Sequence, residues 1–344
     1  MNEQELLEAA QRGDEDAFQR LIESHRAALH AHCYRMLGSV ADAEDALQEA
    51  LLGAWRGLPR FQGKSSLRSW LYKIATNACL KSIERRPKRV LPIDYGPPAD
   101  PHDGPAEPLV ESVWVEPYPD QMLGLDGGPA GPEARYEQRE SVELAFIAAL
   151  QQLPARQRAV LVLREVLGFS AREVAETLET TPASVDSAMQ RAHKTVEERL
   201  PKQSQQAALR ALGDERLTEI VDSYVDAWER GDVNALAAML AEEVTLTMPP
   251  IPSWYRGRDT VALFLGKYPF AEGLRWRLIP MRANGQLAFG YYLWDRATGS
   301  FKPREVSVLS LDGDRISEID FFRDPEGVRR FGLPEEVPPD RSPV

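Results

Sequence analysis

The spacing of apolar residues changes along the chain and divides it into segments. In "DAEDALQEALLGAWRGL", residues 42–58, Ala43, Ala46, Leu47, Ala50, Leu51, Ala54 and Leu58 recur at helical spacing and form one stripe. Glu44, Asp45, Gln48, Glu49 and Leu52 fall on the opposite side, so an acidic face surrounds an exposed leucine. After a loop around Gly63, a second helix is predicted from about Leu67 to Arg86, with Leu67, Leu71, Ile74, Ala75 and Ala78 facing inward. The periodicity then stops. Residues 90–140 hold ten of the 26 prolines and eleven acids against two basic residues, the composition of a solvated linker. Helical spacing returns over 141–200. Further on, Leu217, Ile220, Val221, Tyr224 and Trp228 share a helix face that ends at Gly231, and a second helix covers roughly 233–241. Val244, Leu246 and Met248 then alternate as a strand, and further strands are predicted at 274–282, 286–295, 303–311 and 315–322, with Asp312-Gly313 as a hairpin turn. The segments are therefore 1–89, 90–140, 141–200 and 206–340.

Composition narrows the class. At 344 residues, with 43% hydrophobic and 27% charged, the chain suits two or three globular domains. Its acidic, amphipathic start has no signal-peptide pattern, and no apolar run approaches the roughly 20 residues of a membrane span, so a cytoplasmic protein without membrane contact is expected. Cys33 and Cys79 lie far apart without a CxxC. His25, His30 and His32 spread around a helix axis with Cys33, so neither a metal nor a cofactor is expected.

The net charge of −12 argues against a nucleic-acid partner until its location is considered. Residues 1–55 carry four arginines, no lysine and eleven acids, whereas residues 56–89 carry ten basic side chains and one acid. An acidic half followed by a basic half points to two different partners. In the basic half, Phe61, Lys64 and Ser65 lie on the loop, and Arg68, Trp70, Lys73, Asn77 and Lys81 on the helix that follows. Single-stranded DNA needs this combination of cations for phosphates, aromatic faces for unstacked bases and polar groups for base edges. Trp70 fits a half-buried core position equally well.

The segment 141–200 contains a helix–turn–helix. Ser170 and Glu173 form a capping box, and Thr181-Pro182 opens the second helix. Val185, Met189, Ala192 and Val196 point inward. Ser184, Ser187, Gln190, Arg191 and Lys194 line the outer face, as a major-groove helix requires, with Arg172 on the helix before. Seven basic residues against eight acids imply few phosphate contacts and weak binding to free DNA.

The stretch from Asp42 to Arg86 resembles the polymerase-binding and promoter-melting region of sigma-70-type factors, above all the extracytoplasmic-function (ECF) group. The helix–turn–helix resembles their −35-reading domain. The resemblance implies that Glu44, Asp45, Gln48, Glu49 and Leu52 dock on the β′ clamp of core RNA polymerase. It also implies that the loop and helix from Phe61 to Lys81 capture and read the −10 element, that Arg172 and the outer face of the second helix read −35 DNA, and that the β flap is a further partner.

The last segment, through "WERGDVNALAAMLAEEVTLTMPP" and "DGDRISEIDFFRDPEG", resembles the SnoaL or NTF2-like superfamily. The implied fold class is multidomain: two all-α sigma domains joined by a proline- and acid-rich linker, then an α+β cone built on a curved antiparallel sheet. Tyr224, Trp228, Met248, Trp254, Trp276, Phe289 and Tyr291 would line its pocket. Ketosteroid isomerase belongs to this superfamily, but Met248 stands where its general-base aspartate would precede a proline, so no enzyme is expected. Regulation of a sigma factor, with a possible small-molecule ligand, is the implied role. A bifunctional protein and a one-component helix–turn–helix repressor are the rival readings.

The linker carries one anomaly, "VESVWVEPYPDQML". Its pattern W-x-E-P-Y-P-D resembles that of sigma factors with this kind of C-terminal domain. Trp114 and Tyr118 are expected to act as a latch, gripping either the protein's own domains or polymerase.

Overall fold

The computed structural model describes residues 2–109, 114–124 and 132–339. The chain divides into two compact units: residues 1–89 with 121–201, and residues 90–120 with 202–344.

The first unit is all helical. Helices α1 (Glu3–Gln11), α2 (Glu15–Leu37), α3 (Val40–Gly57) and α4 (Leu67–Glu84) pack together. Each starts at a side-chain cap: Asn2, Asp14, Ser39 and Ser66 accept hydrogen bonds from the first-turn amides. Gly38 closes α2 in the left-handed conformation. Helices α5 (Pro132–Glu140), α6 (Leu144–Gln152), α7 (Ala155–Leu161), α8 (Ala171–Leu178) and α9 (Pro182–Glu197) complete the unit. The predicted capping box at Ser170 and Glu173 is present, as is the cap at Thr181. Helix α5 lies inside the segment expected to be an irregular linker.

Buried arginines fix the two helical groups to each other. Arg35, on α2, donates to the Ser141 hydroxyl at 2.7 Å and to its carbonyl at 3.1 Å. Arg158, on α7, donates to the Met36 carbonyl and to the Leu153 carbonyl at 3.2 Å. A buried guanidinium is tolerated only when such acceptors satisfy it. Burial lowers the Arg158 pKa to about 10, which leaves it charged at neutral pH. Asp42, near the start of α3, is gripped by Arg86 and by Arg89.

The second unit is α+β. Helix α10 (Gln205–Arg230) is kinked at Gly213, and α11 (Val233–Met239) follows it. The six strands are β1 (Leu240–Met248), β2 (Ile251–Arg256), β3 (Trp276–Ala283), β4 (Gln286–Asp295), β5 (Ser300–Asp312) and β6 (Arg315–Phe322). Their order is β2-β1-β6-β5-β4-β3. Helices α12 (Arg258–Lys267) and α13 (Pro325–Arg330) complete the unit. The expected sheet was purely antiparallel; the observed one is mixed, because β1 pairs with β6 in parallel. One core joins α10, α11 and α12 to alternate residues of the sheet: Leu246 and Met248 from β1, Phe289 and Tyr291 from β4, Ile319 and Phe321 from β6. Strand β2 and helix α12 were not predicted, because the proline and glycine around Ile251–Gly257 mask their periodicity.

Candidate nucleic-acid interface

On α3 the acidic face forms as its spacing requires. Leu52 is 55% exposed, an unusual position for a large apolar side chain, with Gln48 and Glu49 exposed beside it. The acids are not idle. Glu44 pairs with Arg26 at 3.2 Å, Asp45 with Arg86 at 3.6 Å, and Glu49 with Lys81 at 3.7 Å. These pairs are solvent-exposed and weak, so an incoming basic partner can exchange them at little cost.

The loop before α4 leaves Lys64 and Ser65 exposed. Phe61 and Trp70 are half-buried and lie against each other with ring centroids 5.0 Å apart, and both pack on the small core of α1 and Leu58. Trp70 is thus partly a core residue, with the remaining ring surface at the rim of the loop. Asn77 and Lys81 are exposed on α4.

Arg68 and Lys73 have a different environment. Arg68 donates to the Leu167 carbonyl at 2.8 Å and sits over the Phe169 ring at 4.5 Å. Lys73 donates to the Glu176 carbonyl at 3.1 Å and lies 3.8 Å from the Glu179 carboxylate. Between them, Ser69 donates to Glu173 at 3.3 Å. Two cations of the basic segment are therefore engaged by the turn before α8 and by α8 itself, the first helix of the helix–turn–helix. Capping hydrogen bonds from Ser170 hold the Glu173 carboxyl below its ordinary range, which keeps it charged for this contact.

On α9, Ser184, Ser187, Gln190, Arg191 and Lys194 are exposed, on the side opposite buried Val185, Ala192 and Val196. The Ser184 hydroxyl also accepts from Thr181 at 3.0 Å, so it belongs to the cap as well as to the outer face. Arg172 is exposed and pairs with Glu176 one turn along α8 at 3.1 Å.

In the second unit the linker packs on the α+β domain. The Ala99 amide donates to the Trp254 carbonyl at 2.8 Å, the Trp254 indole to the Gly96 carbonyl at 2.7 Å, and the Leu109 amide to the Pro250 carbonyl at 2.9 Å. The sharpest contact is at the turn between β3 and β4. Asn284 and Gly285 both have positive φ, as a two-residue hairpin turn demands. The Asn284 side-chain oxygen accepts from the Tyr118 amide at 2.7 Å, and the Asn284 amide donates back to the Tyr118 carbonyl at 2.8 Å. The Gly285 amide donates to Asp120 at 2.7 Å. Tyr118 is fully buried. Trp114, 6% exposed, makes a different contact: it bridges to Val90 and lies 5.4 Å from the Tyr95 ring, so it closes the linker on itself.

Inside the domain, six of the seven expected pocket residues meet. The Tyr224 and Tyr291 hydroxyls are 2.8 Å apart, and Ser307 donates to Tyr291 at 3.3 Å. Phe289 lies 4.8 Å from Tyr224, and Trp228 packs against Tyr291 at 5.0 Å and Trp276 at 6.1 Å. Met248 belongs to the same core. Burial raises the Tyr224 and Tyr291 hydroxyls far above their ordinary range, so both stay protonated. Trp254 is the exception. Strand alternation turns it to the opposite face, where the linker covers it, and Tyr255 takes the interior place, stacked on Phe264 at 4.4 Å. The error was one of register: without knowing where β2 begins, Trp254 and Tyr255 cannot be told apart. Glu305 was also missed. It pairs with Tyr291 across β4 and β5, on the interior-facing register, and Arg323 holds it at 3.4 Å.

Among the described residues no helix is long and apolar enough to cross a membrane, and no cluster of His, Cys, Asp or Glu could hold a metal.

Comparison with known proteins agrees with this architecture. Residues 21–89 match the Sigma-70 region 2 family, residues 143–196 the Sigma-70 region 4 family, and residues 221–319 the SnoaL-like domain family. The ECF RNA polymerase sigma factor SigG of Mycobacterium tuberculosis is 39% identical over 95% of this chain and 85% of its own. SigM of the same species is 32% identical over 55% of this chain and 79% of its own. The crystal structure of Mycobacterium tuberculosis SigJ, an extracytoplasmic function sigma factor, shares the fold with a TM-score of 0.57 at 20% identity, covering 91% of this chain and 98% of that one. The chain belongs to the ECF sigma factors of the sigma-70 family, which bring core RNA polymerase to promoter DNA, and carries a SnoaL-like domain after the helix–turn–helix.

Proposed function

We propose that this sigma factor works from the cytoplasm by binding alone, and that its SnoaL-like domain regulates it by gripping the linker. Residues 1–89 act as the docking and melting module. Glu44, Asp45, Gln48, Glu49 and Leu52 meet the β′ clamp; Phe61, Lys64, Ser65, Arg68, Trp70, Lys73, Asn77 and Lys81 take the −10 strand. Residues 141–200 contact the β flap and read −35 DNA through Arg172, Ser184, Ser187, Gln190, Arg191 and Lys194. Residues 206–340 form the regulatory domain, and 90–140 the linker it controls.

The observation that carries the regulatory part is the Tyr118–Asn284–Asp120 contact, a buried, three-bond attachment of linker to domain. The idle state is the docked one. In it, Arg68 is occupied by the turn before α8 and Lys73 by α8, and neither is available to DNA. Trp114 shapes the docked loop and Tyr118 anchors it. Transcription by reconstituted holoenzyme tests this: Asn284→Gly, which removes the acceptor of the Tyr118 amide, should raise promoter output, and unchanged output would remove the latch from the account.

A catalytic reading keeps one observation in its favour, the Glu305 carboxyl beside the Tyr224–Tyr291 hydroxyl pair. Its pairing with Arg323 favours a structural role. Turnover of a small molecule that is lost in Glu305→Gln would support the catalytic reading.

A further inference from the structure

The aromatic interior of the α+β domain belongs to its core, but the surface beside its linker offers a different site. A cleft of about 190 Å³ is lined by Pro108 of the linker and by Pro250, Ile251, Arg304, Arg323 and Pro325 of the domain. Its chemistry is one-sided. Four of the lining residues are apolar, and the two charged ones are both arginines. Arg323 is already committed to Glu305, which lies behind it and is buried. Arg304 is exposed and makes no direct ion pair or side-chain hydrogen bond among the described residues, although the Glu305 charge also acts on it.

We propose that this cleft binds a small organic carboxylate, and that its occupancy holds the linker in the docked position. The proposal rests on the latch reading above, whose site it extends.

Three features select the ligand. The Arg304 guanidinium, lining the same cleft as Arg323, presents a planar fork of donors, which suits a carboxylate. The proline and isoleucine walls call for an apolar body attached to that head group. The volume equals that of roughly six water molecules, taking about 30 Å³ each, so the ligand is small, on the scale of a substituted benzoate. Small-molecule sites more often start at about 300 Å³, so this one excludes larger ligands.

The coupling follows from the walls. Pro108 contributes one side, and the adjacent Leu109 amide donates to the carbonyl of Pro250, on the other side. A ligand between them contacts both linker and domain, and so favours the state in which both are present. A ligand that binds only the docked state stabilises it in proportion to its saturation.

The test uses the full-length protein with benzoate as probe and benzamide as its neutral isostere, read by calorimetry and by hydrogen exchange at Leu109. Benzoate should bind saturably and at least tenfold more tightly than benzamide. Arg304→Gln should weaken it at least tenfold while leaving the melting temperature unchanged. At ten times its dissociation constant, benzoate should slow Leu109 exchange about tenfold. Equal binding of the two probes, or benzoate binding indifferent to Arg304→Gln, overturns the site. Arg304-dependent binding without added protection at Leu109 overturns the coupling. Loss of the latch itself would register separately, as fast Leu109 exchange in the ligand-free protein.

Discussion

Replacing Asn284 by glycine isolates the anchor of the linker. The turn between β3 and β4 needs positive φ at this position, and glycine adopts it without strain, so the hairpin should survive. What disappears is the side-chain oxygen that accepts the Tyr118 amide at 2.7 Å. Tyr118 is fully buried, so water does not readily replace that acceptor. Stranding a buried donor costs about 1–3 kcal/mol. At about 1.4 kcal/mol per tenfold change, the docked linker should open roughly 5 to 150 times more often. Native-state hydrogen exchange reads this directly at Tyr118 and at Gly285, whose amide is held by Asp120. Asn284→Asp keeps an acceptor in place and should exchange nearly as the wild type does. Unchanged protection at Tyr118 in Asn284→Gly would refute the reasoning, because the hydrogen bond would then not hold the linker.

Other expectations follow from the same structure. Reversing charge at Asp45 and Glu49 to arginine should weaken core polymerase binding at least tenfold, measured by native gel or fluorescence anisotropy; intact binding would move the docking face elsewhere. Glu179→Lys replaces an attraction to Lys73 by repulsion at an exposed pair worth about 0.2–1 kcal/mol, so affinity for single-stranded −10 DNA should rise by no more than about fivefold. Burial drives the His32 pKa from 6.5 down to about 3. The folded state therefore excludes a proton that the unfolded chain takes up below pH 6.5, and stability is full above that value and falls as pH drops toward 3. Denaturation at pH 7.5 and 5.5 should show a stability loss that is larger in the wild type than in His32→Gln, by roughly 1 kcal/mol.

The helical half was legible because its signals are local. The stripe from Ala43 to Leu58, the capping box at Ser170 and the Thr181-Pro182 start are each specified within a few residues, and each forms. What stayed hidden depends on long-range partners. Composition makes residues 90–120 look like solvated chain, yet their amides find acceptors on the α+β domain more than a hundred residues away, as Tyr118 does at Asn284. The engagement of Arg68 by the Leu167 carbonyl spans 99 positions and has no sequence signature. The burial of Arg35 and Arg158 has no sequence signature either, because nothing nearby in sequence announces the carbonyls that surround them. Trp254 was misplaced by a single step of strand register, and Glu305 was overlooked because its meaning depends on lying opposite Tyr291.

The central claim is that this chain directs core polymerase to specific promoters through surfaces on α3, α4 and α9. Transcription in vitro over a randomised promoter library, with full-length protein and core enzyme, tests it most directly. The account predicts enrichment of a defined −10 and −35 pair. It also predicts that Asn77→Ala relaxes selection at −10 only, and that Gln190→Ala and Arg191→Ala relax it at −35 only. Output no greater than that of core enzyme alone, or selection that none of these substitutions alters, would contradict it.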